Sequence, residues 1–261
     1  MKNPDRDIPP SLQPDPEDYG YDLDRALTAV VGLKTYVPQD AFTAGPLGTE
    51  RAGSGVVVGA SGLVVTIGYL ITEAETIWIT SADGRAVAGH ALAYDQETGF
   101  GLVQALGRLD LPALEMGDSD RLKLGDPVVF AAAGGRHHAV ETRVVGRQEF
   151  AGYWEYVLDE ALFTAPSHPN WGGTALIGPR GDLIGIGSLQ LQQAGEIAHL
   201  VAGDREQDIA GAQIRALGRS AIGEAHDHQP VLDFGGIKTE PRPRRCIAPA
   251  VFEQIVEDRL Q

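Results

Sequence analysis

No run in this 261-residue chain approaches the roughly 20 consecutive apolar residues of a membrane-spanning helix, so no such helix is expected. Cysteine occurs once, as Cys246, which excludes an internal disulfide and any cysteine-based zinc site. Positive charge is scarce: 21 Lys and Arg stand against 36 Asp and Glu, a net charge of −15. Nucleic acids and anionic membrane surfaces both demand basic patches, so neither is expected as a partner. Residues 1–18 are rich in Asp and Pro and carry no apolar stretch flanked by positive charge, so they do not read as a secretory signal. With the single thiol, this makes the cytoplasm the expected compartment. No cofactor is expected.

Glycine and proline are abundant, at 33 and 16 residues, which suits many short strands joined by tight turns. Pro9, Pro10, Pro14 and Pro16 break up the first 21 residues, which read as a disordered acidic arm. Asp22 can cap a short helix over residues 23–31 that runs into a first strand. Strands are then expected near residues 56–58, 63–66, 76–80, 87–94 and 100–105, with Asp83-Gly84 as a hairpin turn. A second set is expected near 128–132, 140–147, 153–158, 174–177 and 183–189. Turn signals recur at the rhythm of a barrel or sandwich. Residues 106–124 read as a bridge, and short helices are expected near 208–217 and 251–260.

The order of these pieces resembles the trypsin-like serine proteases of the HtrA/DegP type over roughly residues 30–190. Gly53-Ser54-Gly55-Val56-Val57-Val58 followed by Leu63-Val64-Val65-Thr66 is similar to that family's GSGVII…ILT strand pair, and Asp83-Gly84-Arg85 to its hairpin. Gly117-Asp118-Ser119-Asp120 with Gly125-Asp126 resembles the family's LGDSD…VGD bridge, and Gly181-Asp182-Leu183-Ile184-Gly185-Ile186 its DGEVIGI hairpin. The resemblance implies an all-β fold of two six-stranded-type β-barrels in the chymotrypsin/trypsin-like architecture. The barrels would span about 22–108 and 125–200, after the short arm at 1–21. A tail at 201–261, partly helical, would carry no PDZ domain.

The family's chemistry needs a Ser nucleophile, a His base and an orienting Asp. The resemblance places Tyr69 at the His position, Gly99 at the Asp position and Gly172 at the Ser position. Matching the Gly-Gly pair instead puts Trp171 at the Ser position. Neither register supplies a hydroxyl nucleophile, and a phenol of ordinary pKa about 10 is a poor base at neutral pH. The resemblance therefore implies a catalytically inactive protease homologue. Asn170, Trp171 and Gly172 are the candidates for a residual oxyanion site. Gly187, Ser188 and Leu189 are the candidates for a strand edge that takes up a peptide or unfolded protein segment. The alternative is an active endopeptidase with relocated groups.

Other residues carry weaker signals. His137-His138 reads as a solvated turn, because adjacent side chains on extended chain face opposite ways. His226-Asp227-His228 has spacing for two metal ligands but lacks a third and fourth nearby. Ser167-His168 lies close to the nucleophile position without a carboxylate beside it. Asp159-Glu160 reads as salt-bridged or solvated rather than as an acid pair. Tyr153, Trp154, Tyr156 and Trp171 read first as packing and second as the lining of a peptide groove. Arg242, Arg244 and Arg245 read as a solvated linker.

Overall fold

The computed structural model describes residues 8–96, 98–150 and 158–190. Tyr153, Trp154, Tyr156, Cys246, the His226 and Arg242 segments and the tail at 201–261, with the helices expected near 208–217 and 251–260, lie outside the described residues.

Residues 8–21 depart from the expectation of a disordered arm. They form two short 3-10 turns, Pro10–Leu12 and Pro16–Asp18, and Ile8 is buried. Tyr19 and Tyr21 pack edge to face, at 5.5 Å between ring centres, against the core that joins the two sheets. The apolar area of Ile8 and two tyrosines supplies the burial that the Pro-rich composition seemed to deny. Burial pushes the Tyr19 phenol up to about 12, with Glu141 and Asp18 adding to the shift.

Asp22 caps helix α1 (Leu23–Thr28), accepting from the Arg25 N–H at 3.0 Å, and the chain passes directly into strand β1 (Val30–Tyr36). Strands β2 (Glu50–Gly59), β3 (Leu63–Ile67), β4 (Thr76–Thr80), β5 (Ala86–Tyr94) and β6 (Phe100–Ala105) follow. Together they close an antiparallel barrel in the order β1-β2-β3-β6-β5-β4. The second unit is a five-stranded antiparallel sheet among the described residues. It contains β7 (Pro127–Ala131), β8 (Ala139–Phe150), β9 (Leu158–Ala165), β10 (Ala175–Ile177) and β11 (Leu183–Ile186), in the order β11-β10-β7-β8-β9. Of the strand expected at 153–158 only Leu158 is described as strand, and β9 runs from there to Ala165. Residues 159–165, for which no strand was expected, thus extend a strand paired with β8.

The continuous apolar runs have a simple cause. In β2, β3 and β6, successive side chains point to opposite faces, and both faces are covered. Val57, Val64 and Val103 fill the barrel with Leu33, Ile77 and Ile79. Val56, Val65 and Leu102 face the second sheet and pack with Val129, Ala131, Ala175 and Ile177. Each fully buried Val, Leu or Ile contributes about 1.5–3 kcal/mol, so this shared core fixes how the two sheets meet. In β4 the alternation is simpler: Ile77 and Ile79 turn inward and Trp78 outward.

Candidate functional site

The seam between barrel and sheet is laced by Ser54. Its N–H donates to the Gly172 carbonyl at 2.9 Å, its carbonyl accepts from Thr66 Oγ1 at 2.7 Å, and its Oγ accepts from the Ala133 N–H at 3.2 Å. Gly173, next to Gly172, has φ +75°, and a Cβ there would lie 1.9 Å from the Ser54 carbonyl oxygen. Only glycine fits this crossing. Its N–H donates to the Gly187 carbonyl at 2.9 Å, so the turn at 172–173 is held between β2 and the chain leaving β11.

Tyr69 sits in a 3-10 turn, Gly68–Leu70, that follows β3. The turn is pinned by Arg51, which is only 5% exposed. The guanidinium donates to the carbonyls of Tyr69 at 2.7 Å, Thr72 at 2.9 Å and Gly48 at 3.1 Å, and to Thr43 Oγ1 at 2.7 Å. Burial lowers the Arg51 pKa, and Glu73 partly offsets this. The Glu73 carboxylate in turn accepts from Phe42 N–H, Thr43 N–H and Thr43 Oγ1, and these bonds hold it below the usual carboxylate range, the Thr43 hydroxyl first. No sequence pattern marks Arg51: a lone arginine at the start of a strand looks solvent-facing until the turn carrying Tyr69 folds over it.

The structure brings Tyr69, Gly99 and Gly172 together. The Gly68 N–H donates to the Gly99 carbonyl at 2.6 Å, so residue 99 abuts the turn that carries Tyr69. A Cβ built on Gly172 would lie 2.9 Å from Tyr69 Oη. The Tyr69 hydroxyl donates to the Ser188 carbonyl at 2.7 Å. Gly99 has φ +79°, with its N–H donated to the Asp95 carbonyl at 2.9 Å. The Asp95 carboxylate accepts from Thr98 Oγ1 and from the Thr98 N–H, closing the turn between β5 and β6.

Of the other candidates, the Asn170 N–H donates to His168 Nδ1 at 2.9 Å. The Trp171 carbonyl accepts from Thr174 Oγ1 at 2.8 Å. His168 is 1% exposed; its Nε2 lies 3.0 Å from the His138 carbonyl and its ring meets Phe130 edge to face. With Nδ1 accepting and Nε2 donating, the ring is neutral, and burial lowers its pKa. Ser167 Oγ accepts from Gln190 Nε2 at 2.8 Å, so Ser167 and His168 engage different partners. His137-His138 lies in the turn Arg136–His138 before β8. Glu160 pairs with Arg147 at 3.0 Å. Among the described residues no group of three or more His, Cys, Asp or Glu could hold a metal ion.

Gly187 turns toward β10: its N–H donates to the Thr174 carbonyl at 2.8 Å. Backbone polar groups alternate along an extended chain, so Ser188 directs its N–H and C=O to the opposite side. Among the described residues β11 is the terminal strand of its sheet; its outer side is paired at Leu183, by Glu115 and Gly117, and the chain continues past Ile186 into residues 187–189. Chemically, the described residues of the cleft offer the Tyr69 phenol, the backbone of residues 187–189 and two glycines, Gly99 and Gly172, without side chains.

A family model of the trypsin-like peptidase domain matches residues 53–186. The periplasmic pH-dependent serine endoprotease DegQ of Escherichia coli strain K12 is 32% identical over 72% of this chain and 39% of its own length. A probable periplasmic serine protease, do/HhoA-like, of Haemophilus influenzae is 31% identical over 55% of this chain and 32% of its own length. The chain therefore spans about a third of the length of these relatives. Among solved structures, the HtrA-type protease AlgW with a tripeptide is similar at a TM-score of 0.51 and 24% identity, over 63% of this chain and 52% of that one, a likeness of fold. These relatives are periplasmic, which overturns the cytoplasmic expectation. A lone thiol excludes an internal disulfide in any compartment, so it carried no information about location. The chain belongs to the trypsin-like peptidase family, and its relatives there are HtrA-type proteases.

Proposed function

We propose that this chain is a periplasmic pseudoprotease that binds an extended peptide or unfolded protein segment at the edge formed by Gly187, Ser188 and Leu189 and does not hydrolyse it. The observation that carries the reading is the Tyr69 hydroxyl, which lies 2.9 Å from where a side chain on Gly172 would begin. The space a nucleophile would need is filled by a phenol, and the residue beneath it has no side chain to attack with. Gly99 likewise has no carboxylate to orient a base. The Asn170 N–H, a candidate oxyanion donor, is engaged by His168.

Strand addition needs none of these groups, only an open edge and room beside it. The relatives are proteases, whose substrates are polypeptides, and this supports a peptide or protein segment as the ligand. The relocated-triad alternative draws no support from the most obvious displaced pair, because Ser167 and His168 are hydrogen-bonded to other groups.

The test uses reduced, carboxymethylated α-lactalbumin labelled with fluorescein, a permanently unfolded chain. A rise in anisotropy with the label remaining on full-length chain supports the reading. Accumulation of labelled fragments overturns it.

A further inference from the structure

Two hydrogen-bonding features of the cleft are not explained by packing. The Tyr69 hydroxyl reaches across the seam from the barrel to the Ser188 carbonyl at 2.7 Å, spanning 119 residues of sequence. Beside it, Ser188 Oγ is buried with no hydrogen-bond partner among the described residues. A buried hydroxyl left unsatisfied costs about 1–3 kcal/mol, so the place marks where a polar group of an occupant completes the bonding.

We propose that Tyr69 is a latch on the peptide-binding edge: its hydroxyl occupies the Ser188 carbonyl, and an incoming strand must displace it before the edge can pair. The inference rests on the peptide-binding reading above and concerns the control of that same site. The geometry carries it. In an added antiparallel strand, a residue whose N–H and C=O both face the edge exchanges two hydrogen bonds with its partner. Ser188 is such a residue, because its neighbour Gly187 is committed to the Thr174 carbonyl and the Gly173 N–H on the other side. With Tyr69 in place, a peptide N–H approaching the Ser188 carbonyl meets an oxygen already bonded and a phenol ring in its path.

The latch is held from behind. Arg51 grips the Tyr69 and Thr72 carbonyls, so the backbone of the turn stays fixed. Opening therefore involves rotation of the Tyr69 side chain alone. The gap that glycine leaves at position 172 is what admits the hydroxyl; a larger residue there would meet it at less than ordinary contact distance.

Tyr69→Phe keeps the ring and removes the hydroxyl. Two measurements separate the latch from the binding reading. First, hydrogen exchange: the Leu189 amide, which shares its peptide plane with the Ser188 carbonyl, should exchange at least about threefold faster in the variant. The Gly187 amide, held by Thr174, is the internal reference and should change little. Second, the variant should bind fluorescein-labelled carboxymethylated α-lactalbumin about three- to tenfold more tightly, the effect of one competing hydrogen bond. Unchanged exchange at Leu189 overturns the latch. Faster exchange with equal or weaker binding overturns the competition, and weaker binding would mark the hydroxyl as a contact to the peptide. If neither protein binds the unfolded chain, the peptide-binding reading fails, and the exchange data alone decide whether Tyr69 restrains the edge.

Discussion

Putting a triad back is the most demanding perturbation of the cleft. The triple variant Tyr69→His, Gly99→Asp, Gly172→Ser supplies all three side chains, yet it should remain a very poor enzyme. Gly99 sits at φ +79°, with its N–H and carbonyl both fixed, by Asp95 and by the Gly68 N–H. An Asp held in that left-handed conformation costs about 1–2 kcal/mol and sends its Cβ in a direction set by the turn, not by the needs of residue 69. A triad whose carboxylate fails to orient the base loses about 10,000-fold in turnover. The Asn170 N–H is bonded to His168 Nδ1, and one missing oxyanion donor costs about 100- to 1,000-fold. Such losses are not additive. The expected turnover of unfolded casein is at least about 1,000-fold below that of an active HtrA-type protease assayed beside it. Turnover within about tenfold would refute the reasoning, because it would mean that the backbone had stayed poised and only side chains had been lost. Replacing His168 with a residue that cannot accept from Asn170 should raise the activity of the triple variant, if the variant still folds.

Three further outcomes follow from the same geometry. Gly173→Ala should destabilise the fold by about 2–5 kcal/mol, from left-handed strain plus overpacking against the Ser54 carbonyl, read by urea denaturation; a change under about 0.5 kcal/mol would contradict the crossing described here. Arg51→Met should cost about 3 kcal/mol by leaving buried carbonyls unpaired, and should speed exchange across the turn that carries Tyr69; a neutral effect would show that the arginine is not the clamp. His168 is held neutral, with its folded pKa below the ordinary value of about 6.5. The unfolded chain then binds the extra proton first, so this contribution to stability is complete above about pH 6.5 and is lost as the pH falls below it. The thermal midpoint of the native protein should drop between pH 7 and pH 5 more steeply than that of His168→Gln; equal slopes would contradict the assigned tautomer.

Much of the fold was legible because its signals are local. Helix α1 was readable from Asp22 and the apolar spacing behind it, and the first barrel from β-branched runs broken by glycine turns. Val56-Val57-Val58 reads as strand whichever face is buried, and both are. What was not legible depends on contacts distant in sequence. Residues 8–21 were read as disordered from their prolines, but Tyr19 and Tyr21 find a core supplied by α1 and the second sheet. Residues 153–157 lie outside the described residues; the strand over Leu158–Ala165 was not expected beyond Leu158, because Leu162 and Phe163 carry little strand signal until they pair with β8. In the cleft, the resemblance pointed to Tyr69, Gly99 and Gly172, or Trp171 in the other register. It gave no hint of Arg51, of the His168 bond to Asn170, or of the hydroxyl that joins Tyr69 to Ser188. Each of these is a bond between segments whose proximity only the closed barrel and its neighbouring sheet create.

No serine in this cleft is placed for activation, and reaction with a fluorophosphonate probe followed by intact-protein mass spectrometry reads this out. Such probes label a serine only where a base in hydrogen-bond reach takes its proton. The purified protein should remain at its unmodified mass while an active HtrA-type protease in a parallel sample is labelled to completion. A stoichiometric adduct on this chain, mapped to Ser188, Ser167 or any other serine, would contradict it.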